Sequence, residues 1–97
     1  MNIPYISAEE VRKNLSMEDA IQCTENVYKL KSQDKTVVWP TIFYEFDPGH
    51  ADMDIKSGYL PEQHIFGHKM VAFMEANVQK GLPDLVGLIA VFSSETG

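Results

Sequence analysis

The chain reads as an α+β domain in which two N-terminal helices pack on a mostly antiparallel or mixed sheet of about five or six strands. Three observations predict this. Two helix-start signatures open the first third, each followed by apolar residues at helical spacing, and from Thr36 onward the apolar residues gather in β-branched and aromatic runs between Pro and Gly turns. The 97 residues are 44% hydrophobic and 23% charged, an ordinary globular composition, so residues 1–97 are expected to form a single small domain without repeats or linkers.

Each element has its own signal. A short opening strand is expected at Ile3 to Ile6. Ser7-Ala8-Glu9-Glu10 has the capping-box pattern, the serine hydroxyl accepting from the Glu10 amide while the Glu10 carboxylate reaches back, and a short helix to about Asn14 should follow. Ser16-Met17-Glu18-Asp19 repeats the device, and Met17, Ala20, Ile21, Thr24, Val27, Tyr28 and Lys31 then recur at helical spacing. Acids Glu18 and Asp19 in the first turn and bases Lys29 and Lys31 in the last suit the helix dipole.

The strands come next. Thr36 to Trp39 and Ile42 to Phe46 are interrupted by Pro40, which cannot donate to a ladder and marks a bulge or an edge. Asp47-Pro48-Gly49-His50 is turn chemistry, and from Asp52 to Tyr59 the residues alternate, with Asp52, Asp54, Lys56 and Gly58 on one face. Leu60 to His64 turns the chain into a strand from Ile65 to Met74, and Leu85 to Phe92 forms another. That last run is so continuously apolar that it suits a strand buried on both faces. Its outer edge should be unpaired or completed by another chain, which predicts a homodimer or higher homo-oligomer.

Charge and cysteine content exclude several classes. The net charge is −6 and Arg12 is the only arginine, so no basic stripe for nucleic acid or an anionic membrane is expected. Cys23 stands alone, allowing no internal disulfide or Cys-x-x-Cys motif, and reads as a small buried hydrophobe on a helix. The N-terminus lacks the pattern of a secretory signal and no run approaches the roughly 20 apolar residues of a membrane span, so a cytoplasmic protein is expected.

Among residues that could carry chemistry, Lys69 shares its strand face with Gly67, Val71 and Phe73, a charged amine on an otherwise apolar row. Such a lysine either runs its stem over the surface to water or serves as an anchor for an anion. Lys56, on the polar face of its strand, reads as a solvated partner of Asp52 or Asp54 across the pleat. His64 and His68 are four apart but fall in a turn and a strand, so with His50 they are not expected to hold a metal. Glu9, Glu10, Glu18 and Asp19 are explained as helix-start residues, and no catalytic residue is assigned. The glycines never form Gly-x-Gly-x-x-Gly, so no dinucleotide fingerprint is present and no cofactor is expected on this chain.

The order Gly67-His68-Lys69, Asn77-Val78-Gln79-Lys80-Gly81-Leu82-Pro83, the apolar strand to Phe92 and Glu95-Thr96-Gly97 resembles the amino-terminal domain of the ornithine cyclodeaminase/mu-crystallin family. The resemblance implies a domain that binds an amino-acid substrate and forms dimers through its sheet, incomplete here and ending before the NAD-binding domain. It implies that Lys69 binds the substrate carboxylate. Thr41 stands where the family carries arginine or lysine after its proline motif, so Thr41 cannot form the usual ion pair, and Lys56 becomes the second candidate contact. Asp84 stands where the family places a threonine close to the dinucleotide, and a carboxylate there would repel a pyrophosphate. A full-length relative would be an NAD-dependent lyase or dehydrogenase of amino or imino acids, and this chain alone is expected to be inactive. The alternative expectation is a stand-alone, non-catalytic binding or assembly module of the same fold.

Overall fold

The computed structural model describes all residues from Met1 to Gly97. It is α+β, as the sequence predicts, and divides into two compact units, Met1–Asp34 and Lys35–Gly97. The first holds α1 (Ala8–Asn14) and α2 (Met17–Ser32). Both capping boxes form. Glu10 N donates to Ser7 Oγ at 3.2 Å and Ser7 N to Glu10 Oε2 at 2.7 Å; Asp19 N donates to Ser16 Oγ at 3.1 Å and Ser16 N to Asp19 Oδ2 at 3.4 Å. Amides that the helix cannot satisfy itself are thereby paired at both starts. The expected strand at Ile3–Ile6 does not form. Alternation proposes a strand but only a ladder partner makes one, and no strand pairs with this segment, which also contains Pro4.

The second unit is a five-stranded antiparallel sheet: β1 (Val37–Val38), β2 (Ile42–Asp47), β3 (Ala51–Leu60), β4 (Ile65–Met74) and β5 (Leu85–Ser93). β1 and β2 lie in line along one edge of β3, and the order then runs β3, β4, β5. Between the pairs Val38↔Gly58 and Ile42↔Ile55, the residues Trp39, Pro40 and Thr41 face only Ser57 and Lys56. This is the bulge that Pro40 predicts: Trp39 N still donates to Ser57 O at 3.1 Å, and the ring of Pro40 removes the next donor.

Two connections set the register. Pro61 opens a 3-10 turn (Pro61–Gln63) that His64 closes at φ 55°, bringing Leu60 opposite Ile65. A second 3-10 segment, Glu75–Lys80, ends on Gly81 at φ 69°, a left-handed position that suits a residue without Cβ. Asn77 fastens this loop from inside, its side-chain amide donating to Pro83 O at 3.0 Å while its carbonyl accepts from Leu82 N at 2.9 Å.

No residue of the chain is fully buried; the apolar residues of β3 and much of β4 are mostly covered, whereas those of β2 and most of β5 are exposed. Burial therefore differs from expectation at two places. Cys23 lies on α2 as expected but is exposed. β5, expected to be covered on both faces, presents Leu85, Leu88, Ile89 and Val91 at 61%, 59%, 69% and 64% exposure. An apolar run records that a strand is suited to being covered; what covers it is not written in the run itself.

Candidate functional site

The β3–β4 hairpin pairs Lys56 directly with Lys69, and β5 places Ile89 beside Lys69. Directly opposed residues point to the same face of a sheet, so the two lysines and Ile89 form one row. The next row toward the hairpin turn is Gly58, Gly67 and Val91. With two glycines side by side the face loses its side-chain layer there, and an open depression of about 340 Å³ results, lined among others by Lys56, Gly58, Gly67, Lys69, Ile89 and Val91.

The glycines are required by close approach. A Cβ on Gly67 would lie 2.4 Å from the Ala90 carbonyl oxygen, and one on Gly58 would lie 2.7 Å from that of Val37. The floor of the depression is thus bare backbone. Neither lysine forms an ion pair; the cations that do are Lys13, Lys29, Lys35 and two histidines. The expected pairing of Lys56 with Asp52 or Asp54 is therefore absent. Asp54 is two residues along the same face, but its Oδ1 is enclosed and without a hydrogen-bond partner. As directly opposed residues the two lysines have Cα atoms about 5 Å apart, and both side chains are exposed, so the row carries two positive charges without an acidic partner.

The remaining candidates fall elsewhere. Thr41 sits in the bulge at the level of Lys56 but does not line the depression. Asp84 precedes β5, five residues from Ile89, which places it about 17 Å along the strand from the lysine row. Its carbonyl accepts from Met74 N at 2.7 Å, a strand-closing role. His64 and His68 do not converge: His64 Nδ1 is 3.8 Å from Glu95 Oε1, while His68 stacks on Phe92 at 5.9 Å.

A larger hollow, about 770 Å³, lies at the other end of the hairpin between the Asp47–His50 turn and the Glu75–Lys80 segment. Its chemistry is internally satisfied, since the His50 ring hydrogen-bonds the Glu75 carboxylate and Glu75 N donates to His50 O at 3.0 Å. We therefore place the candidate site at the lysines, whose charge is unmet. Sequence reasoning missed the His50–Glu75 pair. The signal was available, because continuing the hairpin register one step beyond Ala51↔Met74 sets His50 against Glu75.

The hydrogen bond that the His50 ring donates to the Glu75 carboxylate, the charge of Glu75 and that of Asp47 together raise the His50 pKa above the ordinary histidine value. The sign follows from linkage. A raised folded-state value stabilises fully below about pH 6.5, where the unfolded histidine is charged, and the contribution is lost as pH rises through the folded value. In an NMR titration His50 is expected to titrate above the unfolded value, and Glu75→Gln to bring it down. An unchanged midpoint in the variant would remove Glu75 as the cause.

No protein-family model matches the chain. Two curated proteins are similar to it: an alanine dehydrogenase of Archaeoglobus fulgidus, 30% identical over 100 residues, covering 100% of this chain and 29% of that protein, and an uncharacterized cyclodeaminase of Sinorhizobium fredii, 28% identical over 90 residues, covering 91% and 27%. Among solved structures, an archaeal alanine dehydrogenase dimer with bound NAD superposes with a TM-score of 0.83 at 30% identity, covering 93% of this chain and 27% of that one. The Δ1-pyrroline-2-carboxylate reductase of Thermococcus litoralis, solved with NADH and L-proline, has the same fold with a TM-score of 0.86 at 23% identity, covering 95% and 28%. The chain thus spans less than a third of the length of these relatives. Over nearly all of its own length it resembles part of the ornithine cyclodeaminase-like NAD-binding enzymes, the group to which the order of its strand and turn motifs points.

Proposed function

We propose that this chain is the substrate-binding and dimerisation domain, residues 1–97 acting as one unit, of an ornithine cyclodeaminase-like, NAD-dependent amino-acid lyase or dehydrogenase, and that it is inactive by itself. The observation that carries this reading is the unpaired Lys56–Lys69 couple over the Gly58–Gly67 floor. In this assignment Lys69 holds the substrate carboxylate, on a rigid central strand, and Lys56 opposite it takes the place of the cation that Thr41 cannot supply. Ammonium groups suit this task because each offers three donors and a compact charge.

Asp84 is given no part in cofactor binding. Its charge would oppose a pyrophosphate, and its carbonyl is occupied in closing β4 on β5. With no Gly-x-Gly-x-x-Gly among these residues, we place NAD on segments of the relatives outside this region. No helix is long and apolar enough to cross a membrane; with the acidic balance and the lone cysteine, we assign the protein to the cytoplasm and give it no nucleic-acid partner.

The test is a titration of the chain with L-alanine, followed by the backbone amide shifts of Gly58 and Gly67. Saturable shifts at these glycines are expected. Lys69→Met, which keeps the stem and removes the charge, should leave the fold intact and weaken binding at least about tenfold, the equivalent of one charge-assisted hydrogen bond. Lys31→Met, on α2, should change nothing.

A second reading is favoured by Thr41 and Asp84, both of which depart from the expected pattern: a stand-alone, non-catalytic binding or assembly module with this fold. That reading gains if the titration leaves Gly58 and Gly67 unmoved.

A further inference from the structure

We propose that the depression selects against ligands bearing a second positive charge, so that its substrate is an amino or imino acid with an uncharged side chain rather than a diamino acid. The inference rests on the proposed carboxylate role of Lys69 and deepens it. Once a carboxylate is seated between Lys56 and Lys69, one net positive charge remains on the row, and nothing on the floor or rim offsets it. The rim toward β5 is Ile89 and Val91, both largely exposed, and the floor is glycine backbone.

Acids on the same face do not supply a partner for a second ammonium. Asp54 is the nearest, one row further from the hairpin turn than Lys56, and it does not line the depression. One of its carboxylate oxygens is enclosed and turned away from solvent. Asp52 is a further row away, opposite Phe73. A ligand amine reaching along the row therefore meets lysine or aliphatic carbon. An uncharged chain of the same length instead covers Ile89 and Val91 and gains from removing their surface from water.

A matched pair isolates the charge. L-norvaline and L-ornithine have the same carbon chain and differ at the end, where ornithine carries the extra ammonium group. Each is titrated into the chain at low ionic strength with the Gly58 and Gly67 amides as reporters. Norvaline is expected to bind at least about fivefold more tightly, the factor for one charge repulsion near water. The gap should shrink at high salt, and it should shrink in Lys56→Met, where only one ammonium remains. Ornithine binding as tightly as norvaline, or more tightly, at low salt would overturn the inference.

The underlying site reading fails separately. If norvaline binds Lys69→Met as well as it binds the parent chain, or binds neither, Lys69 is no carboxylate anchor whatever the ratio of the two ligands. If norvaline requires Lys69 and ornithine matches it, only the selectivity falls.

Discussion

Gly67→Ala is expected to destabilise the sheet by about 3 kcal/mol or more, the upper range for forcing atoms into an occupied position. The added methyl would sit 2.4 Å from the Ala90 carbonyl oxygen, which belongs to the β5 backbone and cannot rotate away as a side-chain tip could. Relief requires β4 and β5 to separate at the third pair of their ladder, where Gly67 pairs with Val91 next to His68 with Ala90. Since small domains have net stabilities of only about 5–15 kcal/mol, and this one has no buried residue to draw on, a substantial unfolded population should result. Gly49→Ala separates steric clash from backbone preference. Gly49 has φ 79° but nothing within 4 Å of an added Cβ, so its cost should be confined to roughly 1 kcal/mol. Urea unfolding followed by circular dichroism reads both variants, and equal midpoints for the two would show that the close approach at Gly67 is relieved without cost.

The same hairpin shows how far the sequence could be read. Leu60 and Ile65 flank a turn marked by Pro61, and counting outward from that pair sets Gly58 against Gly67, Lys56 against Lys69 and His50 against Glu75. The meeting of the two lysines was thus implicit in the position of one turn, yet alternation within each strand gives only the face of each residue and not its opposite number. The strands Ile65–Met74 and Leu85–Ser93 were legible because long β-branched and aromatic runs end in strong turn residues, and the helix starts because Ser7 and Ser16 each have an acid three residues on. The segment Ile3–Ile6 shows the limit: its pattern was that of a strand, and it had nothing to pair with. Cys23 and β5 show another. Residue type reports a preference for cover, and exposure depends on whether cover is supplied.

Cover for β5 leads to the second large effect. The strand order leaves β5 bonded to β4 on one side only, and its outer edge offers unpaired amides and carbonyls beside exposed Leu85, Leu88, Ile89 and Val91. Edges of this kind are normally blunted by charge, proline or a bulge, and residues 85 to 93 contain none of the first two while the β4–β5 register runs without a shift. A second copy can satisfy the edge through a two-fold axis, and the alanine dehydrogenase to which the chain is similar was solved as a dimer. At micromolar concentration the chain is therefore expected to elute as a dimer or larger assembly when size exclusion is coupled to light scattering. Leu88→Lys adds to this edge the charge that natural edges carry, and it should shift the chain to a monomer of 11.0 kDa. Because Leu88 pairs with Met70 and faces away from the Lys56–Lys69 row, amide shifts on titration with L-alanine should survive the change. A parent chain that is monomeric throughout that range would mean that β5 tolerates an open apolar edge, and the proposed dimerisation role would fall independently of the proposed carboxylate contact at Lys69.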